Sequence, residues 1–173
     1  TVVPTITAYL LPTGGHESPV QLNENANKSF QGPIILGMGF TFDDTDSKGV
    51  ANTLSEMERV IQKNRSNSER IFPYLGGDEV NNDPRHAHHR FVINFAEFPL
   101  KRDSLSGTWS GGSSQQKRDW LRSGIVPSDY RDPVANDWPD LLEIVRKRVV
   151  PERMAQNDQG GKDRWWQFLR PRG

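Results

Sequence analysis

The residues best suited to chemistry fall into four groups. Asp44-Thr-Asp-Ser-Lys-Gly49 places carboxylates at the first and third positions of a calcium-type loop and a glycine at the sixth. Lys48 stands at the fifth position and Ser55 at the twelfth, so a ligand oxygen and the bidentate closing carboxylate are both missing; a solvated turn ahead of a helix is the expectation. Asp46-Ser-Lys48 also has the tail of a metal-nuclease pattern built on Asp43, Asp44, Asp46 and Lys48, without a convincing upstream carboxylate on a strand. His86-Ala-His-His89 is flanked by Arg85 and Arg90. It reads as a surface loop, as a phosphate-contacting loop, or as a metal site, and the sequence leaves the three open. Arg164-Trp-Trp-Gln-Phe168, preceded by Lys162 and followed by Arg170 and Arg172, mixes indoles with guanidinium groups. That combination suits nucleic acid, since guanidinium grips phosphate and indole stacks on bases. The competing expectation is that Trp165 and Phe168, at i and i+3, are core while the arginines are solvated; both are expected to hold, with one tryptophan buried and the arginines available.

Two further stretches bear on cofactors. Leu36-Gly-Met-Gly-Phe40 has a glycine spacing used around nucleotides and S-adenosylmethionine, but it continues into Thr-Phe-Asp-Asp and not into a helix N-terminus. A glycine bulge in a strand is therefore expected. Ile71-Phe-Pro-Tyr-Leu-Gly-Gly-Asp-Glu-Val-Asn81 reads as a short strand and a turn presenting Asp78, Glu79 and Asn81. No nucleophile elbow, phosphate-binding loop, zinc-protease histidine pair or Pro-Pro-aromatic base-flipping tetrapeptide is found in the sequence, so no catalytic residue is assigned.

Several elements must position these groups. Val2–Leu11 is rich in β-branched and aromatic residues and reads as one or two strands, followed by a polar stretch over 16–29. Residues 33–42 form the clearest early strand, Ile71–Leu75 a second and Arg90–Phe95 a third. Thr53-Leu-Ser-Glu56 has capping-box spacing, and Leu54, Met57, Val60 and Ile61 share one helical face, which predicts a helix over 54–63. A second helix is expected to start at Asp137-Trp-Pro-Asp140, with Asp137 as N-cap, a stripe of Leu141, Leu142, Val145 and Val149, and Pro151 ending or kinking it. Residues 101–116 (KRDSLSGTWSGGSSQQ) are Gly/Ser-rich and read as a flexible insertion.

The bulk numbers set the class. At 173 residues with 34% apolar content and mean hydropathy −0.74, the chain has one domain's worth of core, with 8 Phe and 5 Trp carrying much of the burial. The expected fold is α+β: a small mixed sheet with at least two amphipathic helices, loop-rich, over residues 1–173 as a single domain or a fragment of a larger enzyme. Thr1 in place of an initiator Met favours the fragment. The 22 basic and 22 acidic residues give zero net charge, which argues against whole-molecule attraction to nucleic acid but not against a local basic face. Zero cysteines exclude disulfides and thiolate zinc sites and suit a cytoplasmic location. No run of apolar residues approaches the roughly 20 needed to span a bilayer, so no membrane partner is expected.

Taken as a set, Gly32-Pro-Ile-Ile-Leu-Gly-Met-Gly-Phe-Thr-Phe42, Ile71–Asn81, Val92-Ile-Asn-Phe95, Trp138-Pro-Asp-Leu141, Val150-Pro-Glu-Arg153 and Trp165-Trp-Gln-Phe168 with Arg170-Pro-Arg172 resemble, in order and spacing, part of the large adenine-specific DNA methyltransferases of combined restriction–modification (type IIG) and related phage-exclusion systems. The resemblance runs from about residue 29 onward. It implies the segment that follows the methyltransferase domain and links it to DNA target recognition. Double-stranded DNA and the upstream methyltransferase domain of the same polypeptide are then the partners. S-adenosylmethionine, with magnesium if the parent cleaves DNA, is the cofactor of the parent and not of this chain. The residues expected at DNA are Arg85, His86, His88, His89, Arg90, Lys162, Arg164, Trp165, Trp166, Arg170 and Arg172. A non-catalytic protein-interaction module is the alternative.

Overall fold

The structure is a computed structural model that describes residues 35, 37–82, 84, 85, 87–104 and 107–168, with only the backbone of Asp78. All belong to the unit Pro33–Gly173. The expected strands in Val2–Leu11, the polar stretch 16–29, His86, Arg170 and Arg172 lie outside the described residues.

The fold is α+β. Strands β1 (Thr41–Phe42), β2 (Ile71–Tyr74) and β3 (Arg90–Ile93) form an antiparallel sheet in the order β1-β3-β2, with Phe42 opposite Phe91 and Phe72 opposite Val92. A second sheet pairs β4 (Lys101–Asp103) in parallel with β5 (Ile125–Pro127). The remaining helices are α1 (Leu54–Lys63), α2 (Gly77–Asn82), α3 (Ser114–Ser123), α4 (Pro139–Ala155) and α5 (Gln159–Asp163). Phe40, Phe42, Val60, Val92, Ile93, Phe95, Trp138, Leu141, Val145, Val149, Trp166 and Phe168 belong to one core. The core therefore joins the first sheet, α1, α4 and the segment after α5.

Helix α1 starts where its sequence marks it, with one half of the expected capping box formed. The Thr53 side chain accepts the backbone N–H of Glu56 at 3.1 Å, satisfying one of the N–H groups a helix start leaves unpaired. The Glu56 carboxylate pairs with Arg59. Helix α4 begins with Pro139 in its first turn, but Asp137 is not its cap: Trp138 occupies that position. Asp137 instead accepts the Val134 N–H and both guanidinium nitrogens Nη1 and Nη2 of Arg102. Pro151 lies inside α4, which continues to Ala155. Pro151 has no N–H to give the Lys147 carbonyl, and both residues are exposed.

Two expectations for loops and strands are corrected. Of the strand expected over residues 33–42, residues 33, 34 and 36 lie outside the described residues; within the rest only β1 is a strand, because Met38–Phe40 form a 3-10 turn after Gly37 at φ 93°. Gly39 in that turn is set against α4: a Cβ there would lie 2.7 Å from Arg148 Cβ and 2.9 Å from Val149 Cγ2. The span 101–116, expected as a flexible insertion, carries regular structure at both ends. It contains β4 and the first turn of α3, and the parallel pairing of β4 with β5 requires a crossover connection, which α3 supplies. The loop between them is tied down where Asp129 accepts the backbone N–H groups of Trp109 and Ser110 at 2.5 and 3.1 Å.

Candidate nucleic-acid interface

The acidic group at 43–46 is used by the backbone. Asp46 accepts N–H groups from Lys48, Val50 and Ala51, Asp44 accepts from Leu54 at the head of α1, and Asp43 accepts from Thr45. The bonds from Ala51 and Lys48 hold the Asp46 carboxyl below its ordinary range. Among the described residues no group of three or more His, Asp or Glu is placed to hold a metal ion. These carboxylates shape the turn into α1 and, as placed, are not gathered into a set of three that could hold a magnesium ion. The Leu36–Phe40 glycines likewise do not fit S-adenosylmethionine, because the space beside Gly39 is filled by Arg148 and Val149.

The Ile71–Asn81 stretch places β2 and then the short helix α2, and its buried carboxylate meets Arg90 on β3. Arg90 donates from Nε to Glu79 Oε1 at 2.5 Å and from Nη2 to Oε2 at 2.6 Å. Gly76 N donates to Oε2 at 2.9 Å, the Tyr74 ring lies 5.0 Å from the guanidinium carbon, and Asp43 lies 4.0 Å from Nη1. Glu79 is 3% exposed, and the bidentate bond from Arg90 lowers its pKa to about 2. Hydrogen bonding to Glu79 raises the Arg90 pKa in turn. Arg90 is therefore a structural cation and not the phosphate ligand expected of it. His88 and His89 are exposed; His88 meets the Phe91 ring edge to face and His89 Nε2 lies 3.6 Å from Glu79 Oε1. Arg85 is exposed on the same connection.

The C-terminal segment divides between core and surface. Trp166 is 2% exposed and donates Nε1–H to the Phe98 carbonyl, which also accepts from the Gln167 amide. Its indole faces are thus unavailable to a base, which corrects the expectation for Trp166. Trp165 is half-buried and packs against Trp166, and Phe168 is buried against Phe40 with ring centroids 5.2 Å apart. The segment is held by Arg153, itself 2% exposed on the last turn of α4. Arg153 donates to the carbonyls of Gly161, Arg164 and Gln167 at 3.2, 2.9 and 2.8 Å. Burial pushes the Arg153 pKa down from its ordinary value, and three carbonyl dipoles take the place of a carboxylate. Lys162 and Arg164 remain half-exposed, and Arg164 Nη2 donates to the Arg122 carbonyl at 3.3 Å.

That last contact brings in residues the sequence reading missed. Helix α3 buries none of its residues and carries Arg118 and Arg122 one turn apart, both exposed. Its N-terminus is a capping box: Ser113 accepts the Gln116 N–H and the Gln116 side chain accepts the Ser113 N–H. Its C-cap, Gly124 at φ 76°, has the left-handed conformation that glycine permits, and the Trp166 ring lies directly against it. The Ser113-Ser-Gln-Gln116 spacing was the available signal, hidden by the glycine and serine around it. No family model matches the chain, no curated protein matches it, and no solved structure matches it.

Proposed function

We propose that this chain is the DNA-recognition or connecting region of a DNA adenine-N6 methyltransferase/restriction enzyme of the cytoplasm. It positions duplex DNA while an upstream domain transfers the methyl group from S-adenosylmethionine. The observation that carries the reading is where the motif residues behind the resemblance lie. Phe40, Phe42, Val92, Trp138, Leu141, Trp166 and Phe168 share one core, while Arg153 grips the segment bearing Lys162 and Arg164. The motifs thus act as a frame that presents cations, and the chemistry belongs to a different domain. The alternative, a protein-interaction module, draws on exposed Phe72, Leu75 and Val80 at β2 and α2.

The test is equilibrium binding of the chain to a labelled DNA duplex across a salt series, with an Arg164→Glu/Arg170→Glu variant. The expected result is salt-sensitive binding by the wild type, weaker binding and a flatter salt dependence in the variant, and no methyl transfer by the chain alone. Equal affinities for the two proteins would refute the DNA-contact reading.

A further inference from the structure

We infer that helix α3 and the end of α5 form one phosphate-binding surface, with Arg118, Arg122, Lys162 and Arg164 as its cations and the backbone of duplex DNA as its ligand. The inference rests on the DNA-positioning role proposed above and assigns part of it to a helix outside the motif set.

Three observations place these groups together. The Arg164 guanidinium donates to the Arg122 carbonyl, so the two chain segments touch. An open recess of about 400 Å³ is lined by Asp119, Arg122 and Ser123 of α3 and by Asp163 of α5. Gly124, which ends α3, lies against the buried Trp166 ring, and this fixes the helix end to the same frame that Arg153 holds. Arg118 and Arg122 are i and i+4 on α3, where side chains stack roughly 5–6 Å apart on one face. Two successive phosphates along one strand are separated by a similar distance, and a helix lying along the backbone meets them with such a pair.

Cations elsewhere on the surface are mixed in their pairing: Lys48, Arg65, Lys101, Arg131 and Arg148 are exposed without an ion-pair partner among the described residues, while six others are paired. Arg59, Lys63, Arg90, Arg102, Arg146 and Lys147 each have a carboxylate within ion-pair distance. Arg118 reaches only the Gln115 side-chain oxygen, and neither it nor Arg122, Lys162 or Arg164 has an ion-pair partner among the described residues. The recess also holds two carboxylates, Asp119 and Asp163, whose bonds from the neutral amides of Gln115 and Gln159 leave their charges in place, so the four cations outnumber them by two. Unpaired cations set on a rigid frame bind phosphate by displacing its counterions, and each such contact contributes about −0.9 to the slope of log K against log salt.

The experiment measures binding of the whole chain to a labelled duplex at several salt concentrations for the wild type, Arg118→Gln/Arg122→Gln, and Arg146→Gln/Lys147→Gln as a charge-matched control on α4. Arg118 and Arg122 are exposed, so the variant is expected to keep the wild-type melting temperature. The expected result is a salt slope flatter by about two for the α3 variant and unchanged for the control. Wild-type binding with an unaltered α3 variant overturns the α3 assignment and leaves the DNA reading standing. Equal losses in variant and control overturn a localised surface. Absence of salt-sensitive binding by the wild type overturns both readings, and preference for duplex RNA over duplex DNA overturns the choice of ligand.

Discussion

Replacing Arg90 with Gln removes the partner of a carboxylate that the fold has already taken out of water. Glu79 is 3% exposed and its pKa is lowered from 4.5 to about 2, chiefly by the bidentate bond from Arg90. A depression of this size corresponds to about 3 kcal/mol of stabilisation of the charged form, at roughly 1.4 kcal/mol per unit. Because the folded pKa lies below the unfolded one, that contribution is fully present above pH 4.5 and is lost as the pH falls through 2. Arg90→Gln should therefore cost about 3 kcal/mol near pH 7, where the unpaired carboxylate stays buried, and much less near pH 2, where Glu79 is protonated. Glu79→Gln keeps an acceptor for the Gly76 N–H and should remove only the Glu79 share of the pH dependence, since Asp46, Asp129, Asp137 and Asp140, whose pKa values are also lowered, keep theirs. Urea unfolding of the wild type and the two variants at several values between pH 7 and pH 2 measures this directly. A cost below about 1 kcal/mol for Arg90→Gln at pH 7, or a gap that does not narrow on acidification, would refute the assignment of Arg90 to the frame.

Three further outcomes are expected. Gly39→Ala places a methyl group against Arg148 Cβ and Val149 Cγ2 and should destabilise the fold by about 1–3 kcal/mol, measured by thermal unfolding; a neutral result would mean that α4 yields at this point. Arg153→Met leaves three carbonyls without their donor and should cost about 3 kcal/mol, with tryptophan emission shifting to the red as Trp166 becomes wet; an unshifted spectrum would show that the core holds the segment unaided. Magnesium should leave the melting temperature unchanged and Asp46→Ala should remove no nuclease activity, since Asp46 holds the N–H groups of Lys48, Val50 and Ala51; metal-dependent cleavage lost in that variant would restore the nuclease reading.

The parts of the fold legible in the sequence were those fixed by local rules. Thr53 and Glu56 marked the start of α1, and the apolar runs at Ile71 and Arg90 marked β2 and β3, because capping and β-branched patterning act within a few residues. The parts that were not legible depend on distant partners. Gly39 reads as a strand bulge until α4 is beside it, and β4 has no amphipathic signature because its parallel partner arrives only after α3. The i, i+3 spacing of Trp165 and Phe168 pointed to Trp165 as the core indole, but Trp166 is the buried one, decided by the Phe98 carbonyl and the Gly124 turn. Arg153 looked like one more basic residue, since nothing local reveals that three carbonyls will surround it.

The same dependence on distant partners reassigns the charge of the candidate site. Zero net charge argued against attraction by the whole molecule, and the sequence offered Arg85–Arg90 with Lys162–Arg172 as a local basic face. Arg90 is now tied to Glu79 and lies close to Asp43, while Arg122 supplies a backbone contact to Arg164 that joins α3 to the C-terminal segment. A neutral chain can bind a polyanion if its carboxylates are spent internally on one set of cations and a second set is left unpaired on a rigid surface. Glu79, Asp137, Asp140 and Glu143 are spent in this way, on Arg90, Arg102, Lys63 and the Arg146–Lys147 pair. Removing one of those internal partners therefore tests the idea from the other side. Glu143→Gln frees Arg146 and Lys147 on α4, far from α3 in sequence, and should add weak, salt-sensitive DNA affinity without restoring binding to the Arg118→Gln/Arg122→Gln variant. Full restoration would mean that total charge and not its placement governs the contact.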